Sequence, residues 1–153
     1  MELPEGFALR AATPADSKFV YQLKKAAYRE YVELTWGWDE QQQLDYHQKQ
    51  FRTENLWIVQ SVGRDVGVLR VIRDPHSFQV EQIFILPEFQ NQGVGGAFMM
   101  AIFNEASSLR LPVRLRVLKV NDRAIAFYKR LGFVESGGTN THVMMEKLPA
   151  AIV

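Results

Sequence analysis

Residues 80–110, VEQIFILPEFQNQGVGGAFMMAIFNEASSLR, constrain the fold more than any other stretch, because they read as strand, glycine turn and helix in immediate succession. In residues 80–86 the polar Glu81 and Gln82 give way to Ile83, Phe84 and Ile85, which predicts a strand entering a core and ended by Pro87. Beyond the turn, Val94, Phe98, Ala101, Ile102, Ala106 and Leu109 recur at helical spacing until Leu111-Pro112 stops the pattern. The turn itself, Gln90-Asn91-Gln92-Gly93-Val94-Gly95-Gly96, places three glycines at a helix start. Backbone can approach a ligand closely there, and the unpaired N–H groups of the first turn, with the positive end of the helix dipole, favour a phosphate. A turn that serves only to reverse the chain accounts for the local sequence equally well. The P-loop is excluded because no Lys-Ser/Thr follows, and the Rossmann turn because the spacing differs.

The rest of the chain is read against this unit. Residues 7–12 predict a strand, and Thr13-Pro14-Ala15-Asp16 a helix start with an N-cap hydroxyl, proline at the first position and an acid three after the cap. Phe19, Val20, Leu23, Ala27, Tyr31 and Leu34 give that helix one apolar face, and Trp36-Gly37-Trp38 interrupts it before a second helix capped at Asp39 and ending near Phe51. Strands are expected at 55–63 and 66–73 about an Arg64-Asp65 turn, at 113–120, and at 133–136 and 141–148 about the 137–140 turn, with a short helix at 122–131. The order β-α-α-β-β-β-α-β-α-β-β defines an α+β fold: a mixed sheet of about seven strands flanked by helices. Its fourth and fifth strands, joined through a helix, are expected to run parallel by a right-handed crossover.

Three segments carry a resemblance to a known family. Gln90-x-x-Gly93-x-Gly95 resembles the (Arg/Gln)-x-x-Gly-x-(Gly/Ala) motif of the GCN5-related N-acetyltransferases, the GNAT superfamily. Residues 80–87 are similar to that family's fourth strand, and Asn121-x-x-Ala124-x-x-Phe127-Tyr128-x-x-x-Gly132-Phe133 to its Asn-to-Gly-Phe segment. The resemblance spans residues 80–133, whereas the first half matches in element order alone. It implies a mostly antiparallel twisted sheet whose two parallel strands splay apart. It also implies acetyl-coenzyme A (acetyl-CoA) as co-substrate, its pyrophosphate at Gln90, Asn91, Gln92, Gly93, Val94, Gly95 and Gly96, and its pantetheine arm along Ile83, Phe84 and Ile85. Gln90 stands where arginine is more usual and Asn91 where glycine is common, which shifts phosphate binding towards backbone N–H groups and Lys129 or Arg130.

The same resemblance suggests catalytic roles. Tyr128 lies where the family often places the acid that protonates the leaving thiolate; packing on the sheet beside Phe127 is the alternative. A phenol with a pKa near 10 can return a proton to a thiolate near 8.5. Glu81 lies where many members carry a base for the amine, whose neutral form costs about 4 to 5 kcal/mol at pH 7; a solvated strand-start residue is the alternative. Asn121 suits a cofactor contact and a helix cap equally. The acceptor site is expected at the break between the first two helices, where Tyr28, Tyr31, Glu33, Trp36 and Trp38 crowd together. Aromatic faces with a carboxylate attract a cation, so a cationic amine is expected.

Composition narrows the remaining classes. A chain of 153 residues suits one domain, residues 1–153. With 18 basic and 17 acidic residues, its net charge of +1 gives no reason to expect nucleic acid or an anionic membrane as partner. No cysteine is present, which removes disulfides, thiol nucleophiles and thiolate metal sites and suits the cytoplasm. The N-terminal residues lack a secretory pattern, and the longest apolar run falls short of the roughly 20 residues of a membrane helix. His47, His76 and His142 lack ligand spacing, so no metal is expected and they are read as surface or turn residues. The reading is an N-acetyltransferase acting directly on a primary amine of a small molecule or peptide, with a homodimer left open. A non-catalytic acyl-coenzyme A binding or sensing domain, an interaction domain retaining the fold alone, and acetylation of a protein lysine or N-terminus are the alternatives.

Overall fold

The structure, a computed structural model, describes residues 1–151. Its strands are β1 (Phe7–Ala11), β2 (Leu56–Ser61), β3 (Arg64–Arg73), β4 (Phe78–Ile85), β5 (Val113–Leu118), β6 (Val134–Gly138) and β7 (His142–Lys147). Its helices are α1 (Ser17–Trp36), α2 (Glu40–Gln50), α3 (Val94–Ser108) and α4 (Asp122–Arg130). All seven strands join one sheet in the order β1-β2-β3-β4-β5-β7-β6, antiparallel at every pairing except β4 with β5, as the helical crossover requires.

Strand alternation sorts the side chains onto two faces. Val80, Ile85, Val113, Leu115 and Val117 pack with Phe98, Met99 and Ile102 of α3. Phe84, Val68 and Ile58 pack with Val20 and Leu23 of α1 on the other face. Each such apolar side chain contributes about 1.5 to 3 kcal/mol on burial. At one sheet edge Arg10 bridges Asp16 and Asp65 at 2.8 Å each, which ties β1 to β3 and to the start of α1. Its guanidinium holds both carboxyls below the usual aspartate range.

Several local expectations change. The β2–β3 turn is Val62-Gly63, both with positive φ (51° and 73°), rather than Arg64-Asp65, which begin β3. This matches the left-handed pair that a two-residue hairpin prefers. β4 begins at Phe78, two residues early, and β6 runs through Gly137 and Gly138, so the last turn lies after them. Leu34 and Leu109 are exposed, while Tyr21 is buried instead, its hydroxyl donating to Glu40 Oε1 at 3.0 Å. His47 is not a surface residue: it lies buried between Tyr21 and Phe51, with Nε2 at 3.0 Å from Ser17 O. Burial pushes its pKa down, which favours the neutral ring.

Candidate active site

A fork in the sheet organises the site. β4 and β5 pair only at Phe78↔Val113 and Gln79↔Arg114, although β4 continues to Ile85 and β5 to Leu118. Two features force them apart. On β4 the pairing with β3 steps from Val71↔Val80 to Arg70↔Gln82, leaving Glu81 as an unpaired bulge residue that bends the strand. β5, meanwhile, stays in register with β7 from Val113↔Lys147 to Leu118↔His142. The edge of β4 facing the gap, including Ile83, Phe84 and Ile85, therefore has no strand partner beyond Gln79. Such an edge offers main-chain donors and acceptors to an extended ligand.

The glycine turn lies at the end of the same strand. Gly93 caps α3 with φ 77°, a conformation that suits glycine, and a Cβ built there would meet nothing within 4 Å. Ala97 N donates to Gly93 O at 2.9 Å as the first bond of α3, and no side chain caps the helix. The N–H groups of Val94, Gly95 and Gly96 consequently lack helical acceptors, which fits the turn for a pyrophosphate. A Cβ built at Gly95 or Gly96 would meet the Phe127 ring at 3.7 or 4.0 Å, so α4 packs against this first turn. Gln90 Nε2 donates to Ile85 O at 2.8 Å and Gln92 Nε2 to Glu88 O at 3.0 Å, so both side chains brace the turn. Asn91 Oδ1 accepts from Arg123 at 3.2 Å. Arg123 was missed by sequence reasoning, which named Lys129 and Arg130. The N-terminus of α4 approaches the turn and supplies Arg123, while Lys129 at its other end pairs with Glu135 at 3.4 Å.

Three side chains of proposed catalytic or cofactor function flank the fork. Tyr128 packs edge-on against Phe127 and Phe133 at 5.1 and 5.6 Å, and its hydroxyl has no hydrogen-bond partner among the described residues. Burial pushes its phenol up, with a smaller contribution from Tyr28 across the gap. Asn121 is buried, and its Oδ1 caps α4 by accepting from Ala124 N at 3.0 Å, which leaves its amide N–H groups for a ligand. Glu81 is exposed on the bulge. Its neighbour Gln82 buries an Oε1 without a donor.

The aromatic cluster only partly assembles. Tyr28 stacks edge-on against Phe84 at 4.8 Å, and Tyr31 follows on the sheet-facing side of α1. Trp36 ends α1, 60% exposed, and stands 6.2 Å from the His142 ring of β7. Trp38, however, donates Nε1 to Glu40 Oε2 at 2.8 Å and carries the Arg29 guanidinium over its ring at 5.8 Å, which commits it to the α1–α2 junction. Glu33 is exposed on α1, away from Val20 and Ala27 and one turn before Trp36. His142 is a further member, which β7 brings beside Trp36 although nothing local in the sequence relates the two. Two hollows of about 490 and 560 Å³ lie elsewhere, beside Met1 and α3 and beside the β3–β4 turn. Glu105, which lines both, is already paired with Arg73 and the terminal amine.

A family model described as "Acetyltransferase (GNAT) domain" matches residues 52–135, more than half of the chain. The chain belongs to the GNAT acetyltransferases, acyltransferases whose co-substrate is acetyl-CoA. Among solved structures it is similar to Ard1 from Thermoplasma volcanium (22% identity, TM-score 0.67, covering 95% of this chain and 99% of that one). It is also similar to the PaiA N-acetyltransferase of Thermoplasma acidophilum bound to coenzyme A (14%, 0.71, 93% and 98%). A variant of the spermidine N-acetyltransferase SpeG of Vibrio cholerae is a further match (21%, 0.62, 95% and 95%). No helix of the described residues is long and apolar enough to cross a membrane.

Proposed function

We propose that this chain is an acetyl-CoA-dependent N-acetyltransferase that acetylates a primary amine of a small molecule or peptide in the cytoplasm. The observation that carries the reading is the β4–β5 fork, which sets an unpartnered strand edge between the uncapped start of α3 and the unbonded Tyr128 hydroxyl. Bound acetyl-CoA supplies an activated thioester, whose C–S bond breaks as the amine nitrogen takes the acetyl carbon. The N–H groups of Val94, Gly95 and Gly96, with Arg123 beside them, hold the pyrophosphate. The free edge of Ile83, Phe84 and Ile85 aligns the pantetheine arm and steadies the thioester oxygen as charge develops. Glu81 accepts the proton the amine must lose, directly or through water. Tyr128 donates its phenolic proton to the departing sulfur, and burial keeps that proton in place across the working pH range. Without cysteine there is no thiol to carry an acetyl-enzyme.

Amine-dependent release of coenzyme A thiol tests the reading. Incubation with acetyl-CoA and a panel of amino acids, polyamines and short peptides should release thiol well above the rate without amine. Cofactor binding with no thiol released by any amine would mark a sensing domain instead.

A further inference from the structure

The inference concerns the cationic side chains on the α1 face of the fork and rests on the acetyltransferase reading above. Val113, Leu115 and Val117 of β5 face α3, so Arg114, Arg116 and Leu118 face α1. Register with β7 sets Arg116 opposite Met144, one strand step on that face from the Leu118↔His142 pair. Of the other cations on this side, Arg114 bonds Glu146 at 2.6 Å, Arg70 bonds the carbonyls of Arg52 and Glu54, and Lys24 of α1, although unbonded among the described residues, lies near Arg70 of β3. Arg116 makes neither a hydrogen bond nor an ion pair among the described residues. It lies two residues past Arg114, the last residue to pair across the fork, where the gap has begun to open.

Neighbouring groups fix what Arg116 reaches. Its charge acts on the Tyr28 phenol, which burial raises, and on the His142 ring, which burial lowers. Tyr28 in turn acts on Tyr128, the proposed proton donor. Tyr28, edge-on to Phe84 at 4.8 Å, marks the β4 side of the gap and the Leu118↔His142 pair the β7 side, and Arg116 lies on the β5 strand between them. From this placement we infer that Arg116 binds a carboxylate of the acceptor and that the acceptor is a free α-amino acid. A guanidinium takes a carboxylate bidentately, in a fixed plane. Arg116 is the second β5 residue past the last cross-fork pair, beside the gap proposed to hold the thioester, so a carboxylate bound there lies within a few bonds of the reacting amine. A free amino acid meets this condition, whereas a peptide N-terminus presents a neutral amide there. A polyamine would set a second cation against Arg116. Trp36 and His142 at the mouth are then left to contact the side chain of the amino acid.

Calorimetry with the twenty L-amino acids, their α-carboxamides and spermidine, run with free coenzyme A so that no transfer can occur, tests this. The best amino acid should bind roughly 10- to 100-fold tighter than its carboxamide, the range expected for a charged hydrogen-bonded pair. Arg116→Gln should abolish that preference, and Arg116→Lys should restore part of it. Because Arg116 is exposed and unbonded, neither change should alter folding. Equal affinity for acid and amide, a preference that survives Arg116→Gln, or spermidine as the tightest ligand would overturn the assignment. Amino-acid binding with this preference but no acetyl transfer once acetyl-CoA replaces coenzyme A would leave the carboxylate site standing and overturn the catalytic reading.

Discussion

Gln79 of β4 and Arg114 of β5 form the last parallel pair between the two strands, and every proposed reactive group of this chain lies beyond it. The separation has local causes on both sides. The Glu81 bulge turns β4 away, while the ladder with β7 keeps β5 straight as far as His142. A ligand edge is thereby created inside a sheet without any loop having to fold over it.

That edge depends on a close approach behind it. Gly67 of β3 lies opposite Ile85, and a Cβ at position 67 would stand 2.6 Å from Phe84 O and 2.8 Å from Ile85 Cδ1. Gly67→Ala should destabilise the protein by about 1 to 3 kcal/mol, the usual cost of overpacking. It should also weaken acetyl-CoA binding, because β4 must shift. Thermal melts with and without acetyl-CoA check both, and an unchanged melting temperature would mean that β4 yields freely.

Gly93 tests the phosphate turn. Gly93→Val places a β-branched residue at φ 77°, at a strain of about 1 to 3 kcal/mol, and puts methyl groups into open space beside the free N–H groups. The concentration-dependent rise in melting temperature with acetyl-CoA should disappear. Gly95→Ala is the control: its new methyl would meet Phe127 at an ordinary 3.7 Å, so folding should be retained. A folded Gly93→Val protein with normal cofactor affinity would place the phosphates elsewhere.

Tyr128→Phe removes one hydroxyl and nothing else of consequence, since that hydroxyl has no partner among the described residues. Folding and cofactor affinity should be kept, and turnover should fall roughly 10- to 1000-fold. Burial holds the Tyr128 phenol above the ordinary tyrosine value of 10, so its proton remains available through that pH and wild-type turnover should show no loss from tyrosine ionisation there. Rates under limiting chemistry decide the matter; an unchanged rate assigns Tyr128 to packing.

The Arg10–Asp16–Asp65 network sets the acid limit. Both carboxyls titrate below the ordinary 3.8, first because of their bonds to Arg10. Groups with depressed folded pKa values contribute stability that is fully present above 3.8 and lost as pH falls through the lower folded values. Asp16→Asn should cost about 1 to 3 kcal/mol at pH 7 and flatten the decline in stability in that acid window. Urea melts from pH 7 down to pH 2 measure both effects.

Much of this arrangement is legible from sequence for physical reasons. Residues 80–110 combine strand, breaker, glycine turn and helix signals that agree with one another, and the structure keeps all of them apart from the exposed Leu109. Arg64-Asp65 misleads because charged residues suit turns, yet here they form ion pairs with Glu88 and Arg10 from within β3. Val62 misleads in the opposite sense, since a β-branched residue rarely takes positive φ. Arg116 and His142 carry no local signal. Their meaning comes from a register between strands far apart in the chain and from what their neighbours on the face are already bonded to. The aromatic cluster is half legible, since helical spacing places Tyr28 and Tyr31 but cannot tell that Glu40 engages Trp38.

Direct transfer across the fork is the central claim, and a single-turnover reaction with enzyme in excess over acetyl-CoA tests it most directly. Quenched samples taken through the time course are to be weighed intact and their small molecules identified. The account predicts one acetylated amine for each thiol released, no change in protein mass at any time, and the same products formed more slowly by Tyr128→Phe. An acetylated protein that appears and decays on the path, or thiol released with no acetylated amine, would contradict it.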